Sequence, residues 1–411
     1  MPMTHALTIL NQLGNERADD VATWFNKAYL NQRIPIYSSV DIRDAGYKVA
    51  PVDTNLFPAG FNNLNDAAQD NAVAEMVQNF ERYAMDTGKP IKNVLLMSEN
   101  HTRNRPYFDN IAMIRRICES AGAHVVVGRF DLQNGETIET ETTDNHTITA
   151  EAISLDGTTL RTGSGFIPDI VIVNNDLSSG CPQILCDAEQ PIFPPAGMGW
   201  YRRRKSVHFE AYNQIAYEFA AHFKLDPWLI STVIHHCGKI NFKERKGMEC
   251  VAIGIDKAIH RIKQKYQEYG ISDEPYVYIK ADSGTYGMGI MTARSGDEIL
   301  EMNKKTRNKM NIIKEGVSNS EVIIQEGVPT TAQRDNAAAE PMLYLVGGVP
   351  IGHIWRVNKS RDATSSLNAQ GMHFEPFSKS DATAGYDIIA RLATLASVYE
   401  HYDTNSCREE I

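Results

Sequence analysis

Apolar residues recur at three- and four-residue spacing between residues 5 and 32, where Leu7, Leu10 and Leu13 are followed by Val21, Trp24, Phe25 and Tyr29; this spacing predicts helix. The period then changes. Ile34 to Val40 and Lys48 to Asp53 read as strands, and the polar run Pro58 to Asn65 reads as a loop into a helix over Ala67 to Asp86. Strand candidates Val94 to Met97, His124 to Val127 and Ile170 to Asn174 alternate with helical patterns such as Tyr107 to Ala121, which predicts helices packed on a sheet. Thr137 to Leu160 reads as an inserted hairpin. After the Pro- and Gly-rich connection Pro191 to Gly199, helix is expected from about Phe209 to His236, with a domain boundary near residue 205 dividing 1–205 from 206–411. In the second half, Tyr276 to Lys280, Glu321 to Gln325, Met342 to Val346 and Gly352 to Val357 are rich in β-branched or aromatic residues and predict strands, before a final helix over Tyr386 to His401.

The chain has 411 residues, enough for two or three packed units with a cleft between them. Its 42% hydrophobic and 22% charged residues are the balance of a folded globular protein. A formal net charge of −10 opposes nucleic acid and anionic membrane surfaces as partners. The N-terminal residues turn acidic and polar too early for a signal peptide, and no stretch has the ~18 consecutive apolar residues that span a bilayer. Six cysteines without CxxC pairing indicate neither a disulfide framework nor a structural zinc site, so the expected location is the cytoplasm.

The strongest chemical signal is YVYIKADSGTYGMGI, a strand that ends in Lys280 and runs into a loop with Ser283, Gly284, Gly287 and Gly289. Glycines let backbone N–H groups approach phosphate oxygens, and the lysine adds a point charge. The order is neither that of a P-loop nor of a dinucleotide fingerprint. A glycine-rich turn beside a solvated lysine would give the same glycines. Asp282 shifts the balance, because a carboxylate in a phosphate loop repels the ligand unless a cation such as Mg2+ lies between. In VDTNLFPAGFNNL, Asp53 and Asn55 stand two apart at a strand end and share a face, which suits a hard cation; D-x-N before a loop also serves as a turn or cap. Two further segments, VIIQEGVPT and AEPMLYLVGGVPIGHIWRVNKSRDATSSLNAQ, carry Gln325, Glu326, Val328, Glu340, Arg356, Lys359 and Asn368.

The order of these pieces resembles the eukaryotic-type glutathione synthetases, circularly permuted ATP-grasp ligases with an E-x-N-T-I-S metal segment early and a lysine, glycine-rich loop and R-x-K segment late. VDTNLFPAGFNNL, with Arg43 upstream, is similar to the first piece; YIKADSGTYGMGI, VIIQEGV and WRVNKS are similar to the others. Over nearly its whole length the chain resembles still more closely the small proteobacterial family of glutamate-cysteine ligases. The resemblance implies an α/β (α+β) ATP-grasp fold, circularly permuted, with an N-terminal α/β substrate domain. It implies ATP and Mg2+ as cofactors, and L-glutamate and L-cysteine as substrates joined through a γ-glutamyl phosphate. It places Arg43 and Arg356 at substrate carboxylates or the acyl phosphate. Lys239, Lys280, Ser283, Gly284, Gly287, Gly289, Gln325, Glu326, Val328, Lys359 and Asn368 fall at the nucleotide, and Asp53, Asn55 and Asp282 at the metal. Two departures stand out: the first metal ligand is Asp53 rather than Glu, and Asp282 lies nearer Lys280 than its counterpart. A glutathione synthetase-like or other ATP-grasp ligase is the alternative enzyme, and a non-catalytic nucleotide-binding regulator the alternative from another class. The oligomeric state stays open.

Other clusters read more plainly. His235, His236 and Cys237 are expected at a helix end, where adjacent residues do not share a face, so zinc binding is not expected. The run Arg202 to Lys205 reads as binding carboxylates or phosphate, or as local salt bridges. Glu99, Asn100, His101, Arg103 and Arg105 follow a strand end, where they could contact an amino acid or cap a helix.

Overall fold

The computed structural model describes residues 5–100, 103–283, 290–310, 320–378 and 383–400. At its centre is an antiparallel sheet in the order Met372–Pro376, Val349–Asn358, Ala337–Val346, Tyr37–Asp44, Val49–Asn55, with Gln333–Arg334 paired to the Ala337–Val346 strand. Strands from both sides of residue 205 are thus neighbours in one sheet, so the boundary expected there does not separate the sheets. Period-2 patterning assigns a strand its faces but not its partner, and a pairing such as Tyr37 with Val346 leaves no local signal.

Both faces of this sheet are covered. Val40, Ile42, Leu343 and Leu345 pack with the helices Ala6–Glu16, Ala18–Tyr29, Lys205–Phe223 and Ala384–Ala396. Tyr37, Tyr344 and Ile354 on the other face pack under the helix Asp66–Thr87 and against Arg105–Ser120. Beyond lies a second sheet whose middle strands His124–Arg129, Asn93–Ser98 and Ile170–Asn174 are parallel, with the antiparallel Thr137–Glu141 and Thr147–Asp156 at one side. A third, antiparallel sheet has the order Ile234–Gly238, Glu321–Glu326, Val277–Ala281, Met291–Ala293. The architecture is mixed α/β. No described helix is long and apolar enough to cross a membrane.

Three sequence expectations need correction. The first helix is two, Ala6–Glu16 and Ala18–Tyr29, because Arg17 leaves helical backbone at φ −125°, ψ 35°. The helix expected to reach His236 ends at Phe223, where Lys224 takes a left-handed conformation at φ 60°. Pro227 cannot continue the helix and disfavours helical backbone at Asp226, which caps the short turn Pro227–Leu229 instead. Ile234–Gly238 is consequently a strand, and His235 and His236 point to opposite faces of it. The long helix Met248–Tyr269 was missed, although Val251, Ile255, Ile259, Ile262 and Tyr266 form its buried stripe at helical spacing.

Candidate active site

The sheet face that carries Tyr37, Tyr344 and Ile354 continues toward one end of the strands as charged residues. Asp41 and Arg43 alternate on one strand, Asp53 lies directly opposite Asp41, and Glu340 lies directly opposite Arg356. These side chains form the floor of a cleft of about 690 Å³. Lys280 enters from the third sheet, and Lys205 from the start of its helix. Glu99, Asn174 and Asp176, at the carboxyl ends of the parallel strands, form the opposite wall. That end of a parallel sheet is where α/β folds place their ligands. The loop between floor and wall is pinned by Asn110, whose Oδ1 accepts the N–H groups of Gly60 at 2.9 Å and Phe61 at 3.0 Å.

The floor is a chain of buried ion pairs. Arg356 Nη1 donates to Asp41 Oδ2 at 2.5 Å and to Glu340 Oε1 at 2.7 Å, while its buried Nε has no hydrogen-bond partner among the described residues. Arg43 Nε donates to Glu340 Oε2. Burial alone would raise the Glu340 pKa, but the two arginines hold it below the usual carboxylate range. Asp41 goes the other way: burial raises it, Arg356 opposes, and the neighbouring Glu340 and Asp53 add to the rise. Asp53 is only half-buried; what desolvation it feels would raise its pKa, but Lys205, 2.5 Å from its Oδ1, together with Lys280 and Arg203 holds it well below the usual range. Lys280 is buried and donates to Gln325 Oε1 at 2.7 Å and the Val52 carbonyl at 2.9 Å. Burial lowers its pKa to about 8, offset in part by Asp53 and Glu340. A cleft that holds a desolvated ammonium against three carboxylates is built for a ligand bearing several negative charges together with a cation.

The model of the family described as glutamate-cysteine ligase matches residues 12–401 of the chain. The crystal structure of a Methylobacillus flagellatus protein, provisionally named a gamma-glutamylcysteine synthetase, shares 39% sequence identity over 97% of each chain, with a TM-score of 0.86. The chain belongs to the glutamate-cysteine ligase family. It is a ligase, from a family whose reaction depends on ATP and joins glutamate to cysteine. Weaker likenesses include a glutathione synthetase like-effector from Globodera pallida (10% identity, 86% of this chain and 82% of that one, TM-score 0.40) and the D-alanyl-alanine synthetase A of Vibrio cholerae (12%, 71% and 77%, 0.32). The comparison with curated proteins found no match.

In this glutamate-cysteine ligase the cleft gathers Arg43, Asp53, Asn55, Lys280, Glu340, Arg356 and Asn368 from the residues expected at the site. Other expected residues lie elsewhere. Asp282 is buried and does not line the cleft: its carboxylate accepts Ser206 N and Ser206 Oγ, each at 2.7 Å, and so caps the helix Lys205–Phe223 from outside. His236 Nε2 lies 3.3 Å from the same carboxylate, and Glu321 stands nearby, paired with Arg204. Lys239 and Lys359 are exposed and do not line the cleft. Glu326 is locked into the interior by Lys48 at 3.0 Å, Trp228 Nε1 at 3.1 Å and Val233 N at 2.9 Å. Gln325 orients Lys280, Val328 is buried, and Ser283 bridges to Arg204. Gly284, Gly287 and Gly289, like His101, lie outside the described residues.

Arg43 is also more committed than its sequence context implied. Besides Glu340, its Nη1 and Nη2 donate to the carbonyls of Ala363 at 2.9 Å and Ser365 at 2.7 Å, which ties the loop after Arg356 to the floor. Asp41 was not singled out from the sequence; its alternation with Arg43 is the signal that could have found it. The Arg202 to Lys205 run forms salt bridges, but with distant segments rather than the local ones expected: Arg203 to Glu400, Arg204 to Glu321 and Lys205 to Asp53.

Proposed function

We propose that this cleft makes γ-glutamylcysteine from L-glutamate and L-cysteine by the ATP-grasp route, through a γ-glutamyl phosphate, in the cytoplasm. The observation that carries the reading is the convergence of Lys280 with Asp41, Asp53, Glu340 and Arg356 in one cleft. In this reading a γ-carboxylate oxygen of glutamate attacks the terminal phosphorus of ATP and ADP leaves. The cysteine amine, having lost its ammonium proton, then attacks the acyl carbon and phosphate leaves. Neither step needs an enzyme nucleophile, so the work of the residues is positioning and charge neutralisation.

Lys280 meets the transferred phosphate. Its desolvation strengthens every charge interaction that it makes. Arg356, whose Nε is buried without a partner among the described residues, is placed for the substrate carboxylate or the acyl phosphate. Arg43 acts one step back, by holding Glu340 and the loop at Ala363 and Ser365. Asp41 and Asp53 face each other across neighbouring strands, and although Arg356 and Lys205 each neutralise one of them, their remaining oxygen lone pairs stand side by side. With Asn55 they make a set of hard oxygen donors that fits Mg2+. Mg2+ would neutralise charge on the phosphates there. Glu99 and Asp176, on the far wall, are placed for a substrate ammonium.

The test is ADP release with glutamate and cysteine supplied singly and together. Release that needs both supports the reading; release indifferent to the amino acids refutes it.

A further inference from the structure

Behind the strand that carries Asp53 and Asn55 lies a second polar cluster which the cleft chemistry does not use. Thr54 stands between those two residues, and strand alternation turns its side chain away from the cleft, toward the helix Lys205–Phe223. Thr54 Oγ1 lies 2.8 Å from His208 Nε2, and His208 Nδ1 lies 2.7 Å from Glu400 Oε1. Arg203 grips the same carboxylate twice, from Nη2 at 2.7 Å and Nε at 2.9 Å, and closes the ring by donating from Nη1 to the Thr54 carbonyl at 2.7 Å. All four residues are at most 4% exposed.

The directions of these bonds follow from the charges. Burial raises the Glu400 pKa, but Arg203 and His208 hold it low, so Glu400 is an acceptor only. Burial is the largest influence on His208 and favours the neutral imidazole, against the pull of Glu400. Its Nδ1–H therefore donates to Glu400, and its Nε2 accepts the Thr54 hydroxyl hydrogen. Arg203 Nη2 also lies 3.2 Å from His208 Nδ1, but it donates to Glu400. Buried ion pairs of this kind are weak contributors to stability, since an apolar replacement of similar volume is often as stable. What the ring does provide is geometry. It clamps the peptide between Asp53 and Asn55, and through Arg203 it also holds the start of the helix two residues before Lys205, the partner of Asp53.

We propose that Arg203, His208 and Glu400 are positioning residues that set Asp53 and Asn55 for the divalent cation, so that the turn Ser397–Glu400, far along the chain, is part of the active-site support. This rests on the assignment of Asp53 and Asn55 as cation ligands. Groups that orient metal ligands typically affect metal affinity by about 10–100-fold when removed.

The experiment is Mn2+ binding in the presence of ADP, read from the free-ion EPR signal well below the melting temperature, for the unaltered protein and for Thr54→Val, Thr54→Ser, Glu400→Gln and Asp53→Asn. Thr54→Val keeps the shape and removes the hydroxyl, so it decides the matter even if Glu400→Gln does not fold. The expected result is Mn2+ affinity at least about tenfold weaker in Thr54→Val and Glu400→Gln, with recovery in Thr54→Ser and little change in ADP affinity without metal. If Asp53→Asn loses Mn2+ while Thr54→Val binds it normally, the positioning role is overturned and the ligand assignment stands. If Asp53→Asn itself binds Mn2+ normally, both are overturned.

Discussion

Raising the pH should weaken nucleotide binding while stabilising the folded protein, and the two opposed trends share one cause in Lys280. Burial among Val52, Tyr278 and Gln325 lowers its pKa from 10.5 to about 8, despite the attraction of Asp53 and Glu340. The difference, 10.5 minus about 8, is worth about 3 kcal/mol at 1.36 kcal/mol per pH unit. The folded-state pKa lies below the unfolded one, so burying the ammonium opposes folding. This opposition is present in full below about pH 8 and fades as the pH rises toward 10.5. The neutral amine can still donate to Gln325 and Val52, so no buried acceptor is orphaned. Nucleotide binding, in contrast, requires the charged form. Above about pH 8 the free protein must take up a proton in order to bind, so affinity should fall about tenfold per pH unit, to about 30-fold weaker near pH 9.5. Calorimetry with ADP between pH 7 and 9.5 measures this, with Lys280→Arg as a partner that does not titrate. An affinity that stays level to pH 9.5, or falls equally in Lys280→Arg, would refute the role given to Lys280.

Arg43→Lys should lower the denaturation midpoint by the equivalent of about 1.5–3 kcal/mol, because a lysine cannot serve Glu340, Ala363 and Ser365 at once; an unchanged midpoint in urea would contradict the clamp. Asp282→Ala removes a cap rather than a cleft ligand, so it should cost about 1 kcal/mol of stability and leave the Mg2+ dependence of turnover unchanged; a strong shift in that dependence would return Asp282 to the metal. Arg356→Lys should raise the glutamate KM more than the ATP KM, since the planar fork is lost at a substrate-facing site; steady-state kinetics with each substrate varied in turn checks this.

What the sequence revealed was local. Period-2 alternation exposed Lys280 at a strand end and the Asp53 and Asn55 pair at another, and Ile170–Asn174 forms a strand with the predicted bounds. The rest depended on contacts between distant segments. Arg43 and Glu340 stand 297 residues apart, and Ser206 and Asp282 76 apart, so nothing near Arg43 announced that its guanidinium was already engaged, nor near Asp282 that it was a helix cap. The strand Ile234–Gly238 was hidden because the helical period was extended through Pro227, a residue that should have ended it. The ring around Glu400 was invisible for both reasons: its members are scattered, and each is an ordinary residue in its own neighbourhood.

The central claim is tested most directly by mass spectrometry of the products formed with ATP and Mg2+. From glutamate and cysteine the account predicts γ-glutamylcysteine, one ADP for each dipeptide, and no further extension when glycine is added. Glutathione formed from γ-glutamylcysteine and glycine, with no dipeptide from glutamate and cysteine, would contradict it.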